Sequence, residues 1–134
     1  MSNVNVLLNS ASIQVLDQTT LTYRVNSPIG TLTLSASAAA YDSYLNIAGG
    51  TGTILTLPVA TIYAAYVKNL DPSAFLTVQV QVTAGTLQTA ANSPVLSPGG
   101  VWMYWTTLDA GSGIIAMTLV SNPGNTAAEV LLAG

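Results

Sequence analysis

The sequence has no cysteine and no histidine, and among its 134 residues there are only five acids and two bases. Each absence removes a class of function. Without cysteine there is neither a disulfide framework nor a thiolate metal site, which leaves the redox compartment open. Without histidine the commonest general base is missing, and Ser–His and Cys–His nucleophile systems are excluded. Arg24 and Lys68 are the only bases in a chain of net charge −3, so the clustered cations that neutralise phosphates on nucleic acid are not there. No apolar run reaches the roughly 18 residues of a membrane span, because polar residues interrupt candidates such as the stretch from Ile54 to Tyr66. The start, Met1 to Ser12, has neither a basic n-region nor a long apolar h-region and does not read as a signal peptide, which points to synthesis in the cytosol.

The five acids, Asp17, Asp42, Asp71, Asp109 and Glu129, are the remaining acid–base candidates, and no two lie within ten residues of each other. Calcium favours several carboxylates in one loop, which this spacing does not provide. Asp71 precedes Pro72 and Asp109 precedes Ala110-Gly111, settings in which an Asp side chain serves the local backbone of a turn. The glycines of Ala48-Gly49-Gly50-Thr51-Gly52-Thr53 lack the lysine and following helix of a phosphate loop. The expectation is a protein that is not an enzyme, with no catalytic residues, no cofactor and no metal.

What is present is half hydrophobic, with 7% aromatic residues and a polar remainder dominated by Thr, Ser, Asn, Gln and Gly. A length of 134 residues fits one domain that buries about two-thirds of its unfolded surface. Charged residues make up 5% where soluble domains carry about 25%. A free monomer keeps a charged surface for solubility, so so little charge suits a protein covered by neighbours.

Turn clusters recur at Asn26-Ser27-Pro28, Gly49-Gly50-Thr51-Gly52, Leu70-Asp71-Pro72-Ser73, Ser97-Pro98-Gly99-Gly100, Gly111-Ser112-Gly113 and Asn122-Pro123-Gly124. Between them lie short runs rich in Thr, Val, Ile, Leu and Tyr. The clearest is Phe75 to Thr83, where Leu76, Val78, Val80 and Val82 alternate with Thr77, Gln79, Gln81 and Thr83. Further strands are expected at residues 20–25, 31–35, 51–57, 62–68, 101–106, 114–120 and 128–132. The alanines of Ser35 to Tyr44 raise helix propensity but are too small to anchor a core, so a one-turn helix or a crossing loop is expected there. Met1 to Ala11 precedes the strong strand signals and reads either as an extended arm or as an edge strand. The fold expected is all-β: one antiparallel β-sandwich over residues 1–134, jelly-roll-like, with about eight short strands.

The sharpest local feature is Trp102, Tyr104 and Trp105, which follow Pro98-Gly99-Gly100. On a strand Trp102 and Tyr104 share one face and Met103 and Trp105 the other, so both faces are apolar, one for a core and one for an interface. Exposed aromatics also stack on sugar rings, so a carbohydrate platform is the rival reading, with core or subunit packing favoured because aromatics dominate core and interface energetics. The run Tyr66-Val67-Lys68-Asn69-Leu70-Asp71-Pro72-Ser73, then Leu76-Thr77-Val78-Gln79-Val80, Leu96-Ser97-Pro98-Gly99-Gly100-Val101-Trp102 and the closing Ala127 to Gly134 resemble the small β-sandwich virion proteins of tailed bacteriophages, of head-decoration or minor structural type. That resemblance covers the second half of the chain. It implies a structural component of a virus particle that forms homo-oligomers and touches other virion proteins, with Tyr63, Tyr66, Trp102 and Tyr104 as candidate interface residues. The alternative is a carbohydrate- or receptor-binding sandwich module with a glycan as partner.

Overall fold

The computed structural model describes residues 4–17, 22–83, 85–106 and 111–134. Strands β1 (Val4–Asp17) and β2 (Thr22–Ala36) pair with each other as a two-stranded antiparallel ribbon. The other eight strands make two four-stranded sheets. One runs β3 (Ala39–Ile47), β10 (Thr126–Ala133), β5 (Ala64–Asn69), β8 (Val101–Trp105); the other runs β4 (Thr53–Ile54), β9 (Ile114–Asn122), β6 (Phe75–Val82), β7 (Val95–Leu96). A single 3-10 turn, Ala90–Asn92, precedes β7.

The pairing obeys a simple rule. β3 pairs with β10, β4 with β9, β5 with β8 and β6 with β7, all antiparallel, and these four pairs fall alternately in one sheet and the other. A long antiparallel ribbon wound over itself gives that order, so the sandwich is a jelly roll. Its core lies between the sheets: Ala65, Val67, Val130 and Leu132 on one side meet Leu76, Val78, Met117 and Leu119 on the other.

Strand β6 follows the expected alternation, with Leu76, Val78 and Val80 buried and Thr77, Gln79 and Gln81 half-exposed. Strand β9 breaks it. A register shift opposite Gln81 and Val82 inserts one residue, so Ile114 and Met117 are both buried while Ile115 is turned outward. The turn Ser97-Pro98-Gly99-Gly100 has Gly99 at a φ of 75° and the Gly100 N–H donating to the Ser97 carbonyl at 2.8 Å. Proline second and a positive-φ glycine third is the chemistry a type II turn demands.

Three expectations are corrected. Asn26-Ser27-Pro28 is not a turn but lies inside β2, where Pro28 stands opposite Ser12 at a register irregularity that spares a ladder hydrogen bond. Ser35 to Tyr44 is neither helix nor crossing loop: apart from a break at Ser37 and Ala38 it is strand, because the edge of β10 offers pairing partners that outweigh alanine's local preference. Within the expected strand 51–57 only Thr53 and Ile54 pair, with Leu119 and Thr118. Val4 to Ala11 forms the first half of β1 and belongs to neither sheet of the sandwich. Met1, Ser2, Asn3, Thr20, Leu21 and Asp109 lie outside the described residues.

Candidate interaction surface

The sheet β3-β10-β5-β8 has one face on the core and one facing out, and its register decides which residues share the outer face. Tyr41 stands opposite Leu131, Leu131 opposite Tyr66, and Tyr66 opposite Met103. One apolar row therefore crosses all four strands. Tyr41 is 62% exposed and Met103 51%, whereas Tyr66 and Leu131 between them are half-buried. A second row, two residues along, sets Glu129 opposite Lys68 and Lys68 opposite Val101. The chain's only lysine thus sits beside one of its few carboxylates, and the two formal charges on this face cancel.

Glu129 also organises the tyrosines. The phenols of Tyr41 and Tyr66, from the two strands flanking β10, both lie within the electrostatic reach of its carboxylate. Both phenols are held above their ordinary pKa of 10.0. For Tyr41 the cause is first desolvation, then the charge of Glu129 and its hydrogen bond, then Asp42. For Tyr66 it is desolvation, the hydrogen bond to Glu129, the charge of Glu129 and the neighbouring Tyr41. A bulge opposite Glu129 adds a further aromatic: Asp42 pairs with Val130 and Leu45 with Ala128, and Tyr44 in the bulge is 71% exposed.

The expected interface residues divide. Tyr66 lies on the outer face. Trp102 and Tyr104 are half-buried, stacked at 6.1 Å between ring centroids, and packed on the main core, and the Tyr104 hydroxyl donates to the Ser112 carbonyl. Their partial burial is part of the sandwich's own packing. Tyr63 and Trp105 pack on a smaller cluster of Ala36, Ala64 and Ala133, where the ribbon joins the sheet. Tyr41, Tyr44 and Met103 complete the outer face; the two tyrosines were not legible in the sequence because the run of alanines and serines around them masks the strand period.

The flank between edge strands β3 and β4 is open. A groove of about 360 Å³ there is lined by Tyr41, Leu45, Ile54, Leu55, Val130 and Leu132, with Ile54 79% exposed. The opposite flank ends on β7 and β8.

Among the described residues no three of His, Cys, Asp and Glu come together to hold a metal, and no helix is long and apolar enough to cross a membrane. Asp71 serves its own turn, accepting from the backbone N–H groups of Ser73 at 2.8 Å and Ala74 at 2.7 Å and from the Ser73 hydroxyl. Compared with known proteins, the chain matches no family model, no curated protein and no solved structure.

Proposed function

We propose that this chain is a non-enzymatic structural subunit of a virus particle that works by burying its own surface against further copies and against other shell proteins. The observation that carries this reading is the outer face of β3-β10-β5-β8, where Tyr41, Tyr66, Leu131 and Met103 form a continuous row beside a mutually cancelling Lys68 and Glu129. Tyrosine and methionine are enriched at protein interfaces while isolated charges are depleted from their centres. In a two-fold contact a residue pair of opposite sign is self-complementary, because each copy offers the other both members. The jelly roll is shared by viral capsid and lectin domains, so the fold alone selects neither. The near-uncharged composition favours the structural reading, since such a surface suits coverage more than free diffusion.

The test is the mass of the purified protein by light scattering at micromolar concentration. A defined oligomer is expected, and Met103→Lys together with Tyr66→Lys should dissociate it without unfolding. A soluble monomer of the unaltered chain at that concentration would sink the self-association reading.

A second reading, sugar binding, rests on a different use of the same residues. Two tyrosine hydroxyls and a carboxylate on a flat sheet face offer polar contacts beside aromatic rings. Binding on a glycan array that Tyr66→Ala abolishes in a folded protein would favour it.

A further inference from the structure

A sheet edge presents a row of unpaired backbone groups, and proteins blunt it by shortening the strand, by placing charge or proline on it, or by bending it with a bulge. Among the described residues the sandwich has four edges, β3 and β4 on one flank and β7 and β8 on the other. Strands β4 and β7 are only two residues long. Strand β3 is bent by the bulge opposite Glu129, where the Asp42 carboxylate accepts the Tyr44 N–H at 2.9 Å. Strand β8 has none of these devices. Its five residues carry no charge and no proline, pair with β5 without a register shift, and leave Val101 and Met103 about half-exposed.

The hydrogen bonds to β5 fix which backbone groups of β8 point outward. The Asn69 N–H donates to the Gly100 carbonyl and the Thr106 N–H to the Tyr63 carbonyl, each at 2.9 Å, so both ends of the ladder are hydrogen-bonded pairs. Such pairs recur at every second residue of an antiparallel ladder, so Trp102 and Tyr104 bond β5 while Val101, Met103 and Trp105 turn their N–H and C=O groups away from it. These three are evenly spaced about Met103, and that spacing is self-complementary. An antiparallel second β8 with Met103 facing Met103 sets Val101 against Trp105 at both ends and satisfies all three residues with up to about six backbone hydrogen bonds. A slip of two residues leaves one of the three unpaired, and a slip of one brings outward groups against residues already committed to β5.

We infer that two copies of this chain join β8 to β8 about a two-fold axis at Met103, making one continuous eight-stranded sheet from their β3-β10-β5-β8 sheets. The inference rests on the self-association reading and names the strand that makes the contact. Side chains agree with the register. Trp102 of each copy faces Tyr104 of the other in a non-hydrogen-bonded pair, the kind in which side chains come closest and aromatic pairs add most. On the outer face Met103 meets Met103, so the row Tyr41, Leu131, Tyr66, Met103 runs on through its mirror sequence in the second copy. Charge is compatible as well. Lys68 stands opposite Val101 at one end of the contact, and the two-fold carries the second Lys68 to the other end, about 20 Å away by strand spacing and rise. That exceeds the screening length of about 8 Å, and each lysine keeps its own Glu129 beside it. The joined sheet ends on β3 at both sides, which leaves the flank with Ile54 open to further copies.

Because the chain has no cysteine, single cysteines report the register directly. Met103→Cys and Val101→Cys are made separately in the full chain, oxidised with copper phenanthroline and resolved by non-reducing electrophoresis. On the axis the two Met103 positions lie about 5.5 Å apart between Cα atoms, within the range a disulfide spans. The two Val101 positions are four residues out of step, at about 13 Å, which is beyond it. Linked dimer from Met103→Cys should exceed that from Val101→Cys by at least about ten-fold, since pairing holds one thiol beside the other. A second variant tests the backbone alone. Met103→Pro deletes an N–H that bonds nothing within the subunit, so it should fold and should lower the mass measured by light scattering. An oligomer in which Met103→Cys links no better than Val101→Cys, or a folded Met103→Pro of unchanged mass, overturns the β8 contact and leaves self-association standing. A monomeric unaltered chain overturns both.

Discussion

Two parts of the sandwich are built to opposite plans: the loop end around Asn69 is stitched shut, and the β3/β4 flank is left open. At the loop end Asn69 is fully buried, and its amide donates to the carbonyls of Ala74 at 2.8 Å, Leu96 at 3.1 Å and Ser97 at 3.2 Å. Its side-chain oxygen accepts from the Asp71 N–H at 3.0 Å and, at 3.5 Å, from the Thr126 hydroxyl. One residue thus joins three connections that are distant in sequence. On the flank, by contrast, Ile54, Tyr41 and Tyr44 are exposed, and among the described residues β3 and β4 are the edge strands of their sheets. The lesson is that this molecule spends its buried polar contacts on fixing its own topology at one place and keeps apolar surface accessible at another.

The largest expected effect comes from breaking the stitched end. Asn69→Ala removes the buried amide that bonds the Ala74, Leu96 and Ser97 carbonyls and the acceptor for the Asp71 N–H, so unfolding in urea should become easier by about 3 kcal/mol. A change within the error of the measurement would show that Asn69 is incidental to the fold. Next in size is Ser121, fully buried on β9, whose hydroxyl has no hydrogen-bond partner among the described residues. Ser121→Ala deletes a desolvated group at little cost in packing, and the same unfolding measurement should show a gain of about 1 kcal/mol.

How much of this was legible in the sequence follows from the range of the interactions involved. The inward set of β6 and the Pro98-Gly99 turn are local, dictated by period and by backbone chemistry, and the sequence displays both. The Asn69-Leu70-Asp71-Pro72-Ser73 stretch announces a turn, but its sequence cannot reveal that Asn69 reaches Leu96 and Ser97. Trp102-Met103-Tyr104-Trp105 is apolar on both sides, so the strand period alone does not choose the core face; pairing β8 against β5 does. The Tyr41–Glu129–Tyr66 cluster was out of reach for the same reason, since its members meet only because β10 lies between β3 and β5. The ribbon was hidden by Pro28, whose turn signal is cancelled by an irregular register in the partner strand.

Two pH effects sharpen the contrast between turn and sheet face. The Asp71 carboxyl is lowered from 3.8 chiefly by the Ala74 and Ser73 backbone hydrogen bonds, so it contributes stability that is complete above its unfolded pKa and is lost as pH falls through the lower folded value. Acid unfolding of Asp71→Asn should therefore be less steep below about pH 4 than that of the unaltered chain. The tyrosines have the reverse sign. Raised folded pKa values for Tyr41 and Tyr66 mean a contribution present below 10.0 and lost as pH climbs through the folded values. Ultraviolet titration of Glu129→Gln should bring both phenols back towards 10.0; unchanged titration would remove Glu129 from the account of this face.

The smallest effect on folding is expected at the open flank, and it separates the two plans most cleanly. Ile54 is 79% exposed, so Ile54→Thr gives up almost no burial within a single copy and should leave the dilute-solution urea midpoint within about 0.5 kcal/mol of the original. Association is a different matter, because a group that is idle in the free subunit and covered in the assembly adds to stability only through mass action. For the unaltered chain the midpoint should rise with protein concentration, and Ile54→Thr should flatten that rise. A residue of the Asn69 kind does the opposite: it lowers the midpoint at every concentration while leaving the slope with concentration in place. If Ile54→Thr instead destabilises the dilute protein by as much as Asn69→Ala, the flank is a second stitched region and the contrast between them disappears.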